Sequence, residues 1–219
     1  MNRMKVFAKQ IVVYVIGLLF ISFAVAISIN SNLGVSPVNS LPYVVSLITG
    51  QEIGTCIVVI YVGFILIQML LLRKEFQLIN LTQIIFSFLF GYFTDFAKMV
   101  MGDFSLPGYP GKLLMLAVSI VLIAFGVAMY VDAKLINMPM EGLTQAISKK
   151  ILKGKPFHEA KAIVDCGVVI LSVLCSLIFL GRLDGVREGT VISALVVGKV
   201  MKPIQKVLVP TIDKYVFHK

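Results

Sequence analysis

The sequence predicts an all-α polytopic membrane protein: six transmembrane helices forming a 3+3 inverted-topology repeat, with short helices after spans 1 and 4. Three observations predict it. Of 219 residues, 58% are hydrophobic, only 14% are charged and none is Trp, whereas a soluble domain carries about 25% charged residues. Apolar runs close to the roughly 20 residues that cross a bilayer recur along the chain. Finally, LGVSPVNSLPYVVS at 33–46 returns as LINMPMEGLTQAIS at 135–148, so that Leu33, Pro37, Leu41 and Ser46 match Leu135, Pro139, Leu143 and Ser148 at an offset of 102.

The first apolar run, near 9–31, follows Arg3, Lys5 and Lys9 and reaches Ala24-Val25-Ala26, which mimics a signal peptide with a small-residue cleavage site. It is longer than a usual signal core. Its end, FAVAISINSNLGVSP, is echoed in mid-chain by FGVAMYVDAKLINMP, so it is expected to be retained as span 1. Ser36-Pro37 then has helix-start chemistry, since a Ser side chain caps free amides and Pro suits the first turn. The short helix it begins carries Leu41, Val44, Val45 and Ile48 and fits a buried or re-entrant segment. Spans 2 and 3 are expected near 53–72 and 79–100, the third with Asp95 and Lys98 near its end. Span 4, near 112–133, leads into Asn137-Met-Pro139 and a second short helix. That helix sets Met140, Leu143, Ile147 and Ile151 against a cationic end at Lys149, Lys150 and Lys153, a pattern that also fits a helix lying on the inner membrane surface. Span 5, near 157–180, holds Asp165. Span 6, near 187–208, is interrupted by Lys199, Lys202 and Pro203.

The matches extend beyond the proline segments. Phe23-Ala-Val-Ala26 aligns with Phe125-Gly-Val-Ala128, Gly50 with Gly154, Gly63 with Gly167, and Gly91 with Gly198 once small insertions are allowed. The chain therefore divides into residues 1–107 and 108–219, two three-helix halves of one membrane domain. Three is odd, so the second half must enter the membrane from the opposite side, as in transporters that build two gates around one site. Placing the N-terminus inside puts 16 Lys and Arg in cytoplasmic segments and 4 outside. Both termini are therefore expected in the cytoplasm.

The formal charge of +9 then reflects cytoplasmic loops rather than nucleic-acid binding. Cys56, Cys166 and Cys175 lack CxxC spacing and read as packing residues. His158 and His218 lie far apart, so no metal site, and no cofactor, is implied. No paired intramembrane Asp, His-Glu zinc pattern or activated nucleophile is legible, and an enzyme is not expected.

Helix starts near the protein centre can hold a polar or anionic solute on free amides without spending a charged side chain. Ser36, Pro37, Asn39, Asn137, Pro139 and Glu141 are accordingly the candidate substrate-binding residues; Asn39 and Glu141 occupy aligned positions. The alternative is that both segments serve only as scaffold. Asp165 lies about 12 Å into its span, where a carboxylate is costly unless paired, hydrated or protonated. It is the candidate proton- or ion-coupling group, or else the local partner of Lys161.

GVAxxxxAxLxxxP, the related LGVSP, and GTVISALVVGKVMKPIQ resemble the YczE/YyaS/YitT-type bacterial membrane proteins, from Gly17 to about Gln205. The resemblance implies a six-span protein of the bacterial inner or plasma membrane, in a family often presumed to transport. Where similar members have a Gly-rich segment before the second proline, this chain has Leu135-Ile-Asn-Met138. Where they have an Asp after the proline, it has Asn39 and Glu141. The expected function is a small-solute transporter whose partners are the bilayer and a small polar or anionic solute. The alternative is a non-transporting regulatory or partner-binding subunit that docks another membrane protein or a second copy of itself.

Overall fold

A computed structural model describes residues 3–153 and 156–217; Gly154 and His218 lie outside the described residues. The long helices are α1 (Arg3–Ser31), α3 (Ile53–Leu72), α4 (Thr82–Met101), α5 (Gly108–Asp132), α7 (Phe157–Cys175) and α8 (Glu188–Phe217). Two short helices, α2 (Pro37–Thr49) and α6 (Pro139–Lys150), follow α1 and α5. Each starts on its proline, whose fixed φ suits the first turn and whose missing N–H would have no helical partner there. Gly50, at φ 68°, ends α2 in the left-handed region and donates its N–H to the Ser46 carbonyl, a conformation that suits glycine. A π-helical turn, Ser176–Leu180, prolongs α7.

The centre of the bundle is α1 against α5. Tyr14 meets Tyr130, Gly17 meets Gly126 and Phe20 meets Phe125. Partner numbers fall as those of α1 rise, so the two helices are antiparallel. Around this pair, α4 packs on α1 and α3, α8 on α5, α6 on α3, and α2 on α7. Gly54 and Gly91 let α3 and α4 cross backbone to backbone. There the Asp95 carboxylate accepts the Gly54 N–H at 2.6 Å, a negative group at the positive start of α3.

Helix α8 runs the whole length of the central pair. At one end Gly189 N–H donates to the Leu33 carbonyl (2.8 Å) and Arg187 to that of Asn32 (2.9 Å). At the other, Lys9 donates to the Tyr215 carbonyl (2.7 Å) and Lys134 pairs with Asp213 (3.1 Å). The second end also carries the start of α1 and the end of α8 and is called the termini end here, the first the far end.

Five of the six long helices are long and apolar enough to cross a membrane; α8 is not. The expected sixth crossing thus has the length but not the apolarity, because Lys199, Lys202 and Lys206 lie on its exposed side. A second difference separates the halves. Where Gly91 sits in the α3–α4 crossing, its aligned partner Gly198 has open space around it, and α7 and α8 do not pack along each other.

Candidate functional site

Two cavities of about 560 Å³ each open at opposite ends of the bundle, one beside each short helix. The far-end cavity is lined in part by Ser28, Ile29, Asn32, Gly34, Val35 and Tyr43. The termini-end cavity is lined in part by Tyr130, Val131, Lys134, Ile136, Asn137 and Gln145. Each residue of the second set lies 102 positions after its counterpart in the first. Both cavities have a size that takes small molecules.

The expected binding residues divide between the two short helices. Ser36 precedes α2 and is 8% exposed, but its hydroxyl caps no amide; it accepts from Asn39 Nδ2 at 3.0 Å instead. Side-chain capping also fails at α6, where the residue before the helix is Met138, whose side chain has no oxygen or nitrogen, rather than Asn137. Asn137 is exposed in the termini-end cavity. Pro37 and Pro139 are buried helix starts, and the Pro139 carbonyl accepts from Gln68 Nε2 at 3.0 Å.

Asn39 and Glu141, aligned in sequence, share a structural oddity. Asn39 is 4% exposed, and among the described residues its buried Oδ1 has no hydrogen-bond partner. Glu141 Oε2 is likewise buried without a partner among the described residues, although the Tyr130 hydroxyl stands near enough to favour the Glu141 carboxylate. A buried acceptor left unpaired costs about 1–3 kcal/mol, so each half keeps one costly acceptor two residues past its proline. Glu141 lies outside the five spans, and burial holds its carboxyl above the usual carboxylate range against the opposing pull of Lys161.

Asp165 is not brought to these atoms by any direct bond. It takes the Lys161 ammonium, one helical turn back, at 2.5 Å, the local pair its spacing allows. Around the helix starts stand residues that single-sequence reasoning did not single out. Tyr14 donates to the Met138 sulfur at 3.2 Å and, with Tyr61 and Tyr130, is buried in one core cluster. Gln68 and Gln83 are 1% and 2% exposed. A lone Gln inside the run FILIQMLLL was the signal that could have found Gln68.

One further contact is paired. The α2–α7 contact includes Ser40 Oγ to Ser172 Oγ at 2.9 Å. At the aligned positions, α6 meets α3 where Gly142 faces Gln68.

The profile of a family of unknown function, DUF6198, matches residues 8–206. "Uncharacterized protein YyaS" of Bacillus subtilis (strain 168) is 31% identical over 135 residues, 61% of this chain and 66% of the relative. "Uncharacterized membrane protein YczE" of the same organism is 29% identical over 141 residues, 63% of this chain and 62% of the relative. The chain thus spans just under two thirds of the length of these curated relatives. No solved structure matches it. With five apolar helices of spanning length, it is a multi-pass membrane protein.

Proposed function

We propose that this chain, which belongs to the DUF6198 family, is a small-solute permease of the cell membrane, with six crossings in two inverted halves, 1–107 and 108–219. The observation that carries this reading is the pair of cavities at opposite ends, lined by residues 102 positions apart. A two-gate permease needs one vestibule per face, built from equivalent parts. The paired α2–α7 and α6–α3 contacts support the same symmetry, and so do the unpartnered oxygens of Asn39 and Glu141. Helix α8 counts as the sixth crossing because it touches both ends of the bundle. The lysine distribution then favours a cytoplasmic termini end.

Ser36, Asn39 and Glu141, with Pro37 and Pro139 setting the helix starts, line neither cavity; in this reading they meet the solute on its way between the halves. Asn137 lines the inner vestibule, and Asp165 with Lys161 is a coupling pair one layer away. A partner-binding subunit is the second reading, favoured by the lysines exposed along α8.

Cysteines at Asn32 and Asn137, each introduced into a chain freed of Cys56, Cys166 and Cys175, test the arrangement. Both positions are exposed and line opposite cavities. A membrane-impermeant maleimide is expected to label Asn32→Cys in right-side-out vesicles and Asn137→Cys in inside-out ones. Labelling of both from one face would sink the inverted arrangement.

A further inference from the structure

The termini-end cavity has a chemistry that its far-end counterpart does not share. Carboxamides reach it from α3, from α4 and the turn before it, from the loop after α5, and from α6: Gln68, Gln77, Asn80, Gln83, Asn137 and Gln145. Its charged residues already have counter-ions. Lys149 pairs with Glu75 at 2.7 Å, which also takes Lys150, and Lys134 pairs with Asp213 at 3.1 Å. What remains for a ligand is neutral hydrogen-bonding capacity.

The innermost part of the wall is the most defined. Gln68 Nε2 donates to Gln83 Oε1 at 3.3 Å and to the Pro139 carbonyl at 3.0 Å. Two acceptors on one nitrogen fix which end of the Gln68 amide is which. Its Oε1 is left as a free acceptor, and Gln83 Nε2 as a free donor; among the described residues no hydrogen bond engages either atom. Both atoms flank the same point. A Cβ added at Gly142 would stand 2.5 Å from Gln68 Oε1 and 3.0 Å from Gln83 Nε2, so the absence of a side chain there lets both carboxamides pack against the Gly142 backbone, an acceptor beside a donor, in the wall of the cavity that all three residues line. In the other half the aligned polar groups satisfy each other, because Ser40 stands where Gly142 does and bonds Ser172, which stands where Gln68 does.

We propose that this cavity binds a neutral solute presenting a hydrogen-bond donor beside an acceptor, such as the lactam edge of a nucleobase or the vicinal hydroxyls of a polyol. A donor–acceptor edge satisfies Gln68 and Gln83 together, where a lone charge would meet one favourable and one opposed dipole. Neutrality also suits passage through a low-dielectric interior, where charge is expensive. The proposal names the solute class of the permease described above and rests on that reading for its purpose, though not for its geometry.

The test is thermal unfolding of the detergent-purified full chain with four probes at millimolar concentration: uracil, myo-inositol, glutamate and choline. Binding at well above the dissociation constant stabilises the fold, and for a chain of this size each kcal/mol appears as about 2–4 °C. Uracil or myo-inositol is expected to raise the midpoint by that amount or more, and glutamate and choline to leave it unmoved. The shift should vanish in Gln83→Leu and in Gly142→Ala, the second displacing the Gln68 amide without removing either carboxamide. A shift from a charged probe alone, a neutral shift that survives in both variants, or no shift from any probe would each overturn the proposal. The cysteine labelling decides the permease architecture separately: opposite-face labelling with a charged ligand bound leaves the permease standing and removes only the neutral class.

Discussion

A single methyl group added at Gly126 has no room. Its carbon would stand 2.5 Å from the Gly17 carbonyl and 2.7 Å from Ile21, and a methyl at Gly17 would meet the Gly126 carbonyl at 2.7 Å. Backbone cannot yield as a side-chain tip can, so Gly126→Leu is expected to destabilise the fold by about 1–3 kcal/mol or more, the cost of overpacking. Gly63→Ala makes the contrast, since nothing lies within 4 Å of that position. It should be neutral or stabilising by about 0.5–1 kcal/mol, the helical advantage of Ala over Gly. Thermal unfolding of both variants in one detergent checks the pair, and equal losses would contradict the assigned crossing. The sequence drew attention to Gly63 and Gly167 through their alignment, yet the crossing falls on Gly17 and Gly126. Which helix face meets a neighbour is a tertiary fact, and in an evenly apolar helix no periodicity marks it. Asn39 and Glu141 were legible because polar residues beside a proline stand out in an apolar chain. Gln83 was not, because a polar residue near the start of a span looks like an interface anchor.

Among the elements, α8 is the one whose character the apolar pattern left incomplete. The sequence placed a span near 187–208 and registered its interruption by Lys199, Lys202 and Pro203; the helix instead continues through both Pro203 and Pro210 to Phe217. It holds because Ile192, Val196, Val197 and Val200 pack on Leu116 and Ile120 of α5 and on Leu33. At about 100° per residue, Lys199, Lys202 and Lys206 fall on the side opposite Val197, and all three are exposed. Lys199 lies about 16 Å along the helix from Glu188, close to the middle of a hydrocarbon layer about 30 Å thick. Each lysine at that depth costs about 2.5–3.5 kcal/mol on insertion scales. On the six-crossing reading, an isolated α8 is therefore expected to insert poorly into microsomes, and the Lys199→Leu, Lys202→Leu double variant to insert well. Glycosylation sites placed on its flanks read the outcome, and efficient insertion of the unaltered segment would count against the depth assigned to these lysines.

At the scale of the whole molecule, the two ends differ in how they are closed. The far end is joined by main-chain bonds from the loop after α1 to the segment that enters α8: Val35 N–H to the Gly185 carbonyl at 3.1 Å, and Gly189 N–H, in the first turn of α8, to that of Leu33 at 2.8 Å. Among the described residues, no main-chain bond joins the aligned segments 134–138 and 77–83 at the termini end. A side chain at position 189 would wedge this join apart, its Cβ standing 2.5 Å from the Leu33 carbonyl. Gly189→Val is expected to expose a cysteine placed at Val35, which is 0% exposed, to a water-soluble maleimide several-fold faster than in the parent. An unchanged labelling rate would show that the join does not hold the far end shut. The LGVSP stretch was visible as half of a repeat, and its role as a helix start followed from Pro37, while the expected Ser36 cap does not form. Its pairing with residues 185–189 left no trace in the sequence, because main-chain bonds between loops 150 residues apart impose no local pattern beyond a glycine at each close approach.

That same join carries a consequence for how the chain is made. Residues 33–35 leave the ribosome early, whereas 185–189 follow only after five of the six long helices have been synthesised. Throughout that interval the N–H of Val35 and the carbonyl of Leu33 have to be satisfied by water or by the insertion machinery, since their partners do not yet exist. A transcript cut short after α7 leaves them so permanently. Its product would hold nearly all of the apolar helices and still present an unsealed polar edge, a surface that quality-control proteases of the membrane could distinguish from the finished protein.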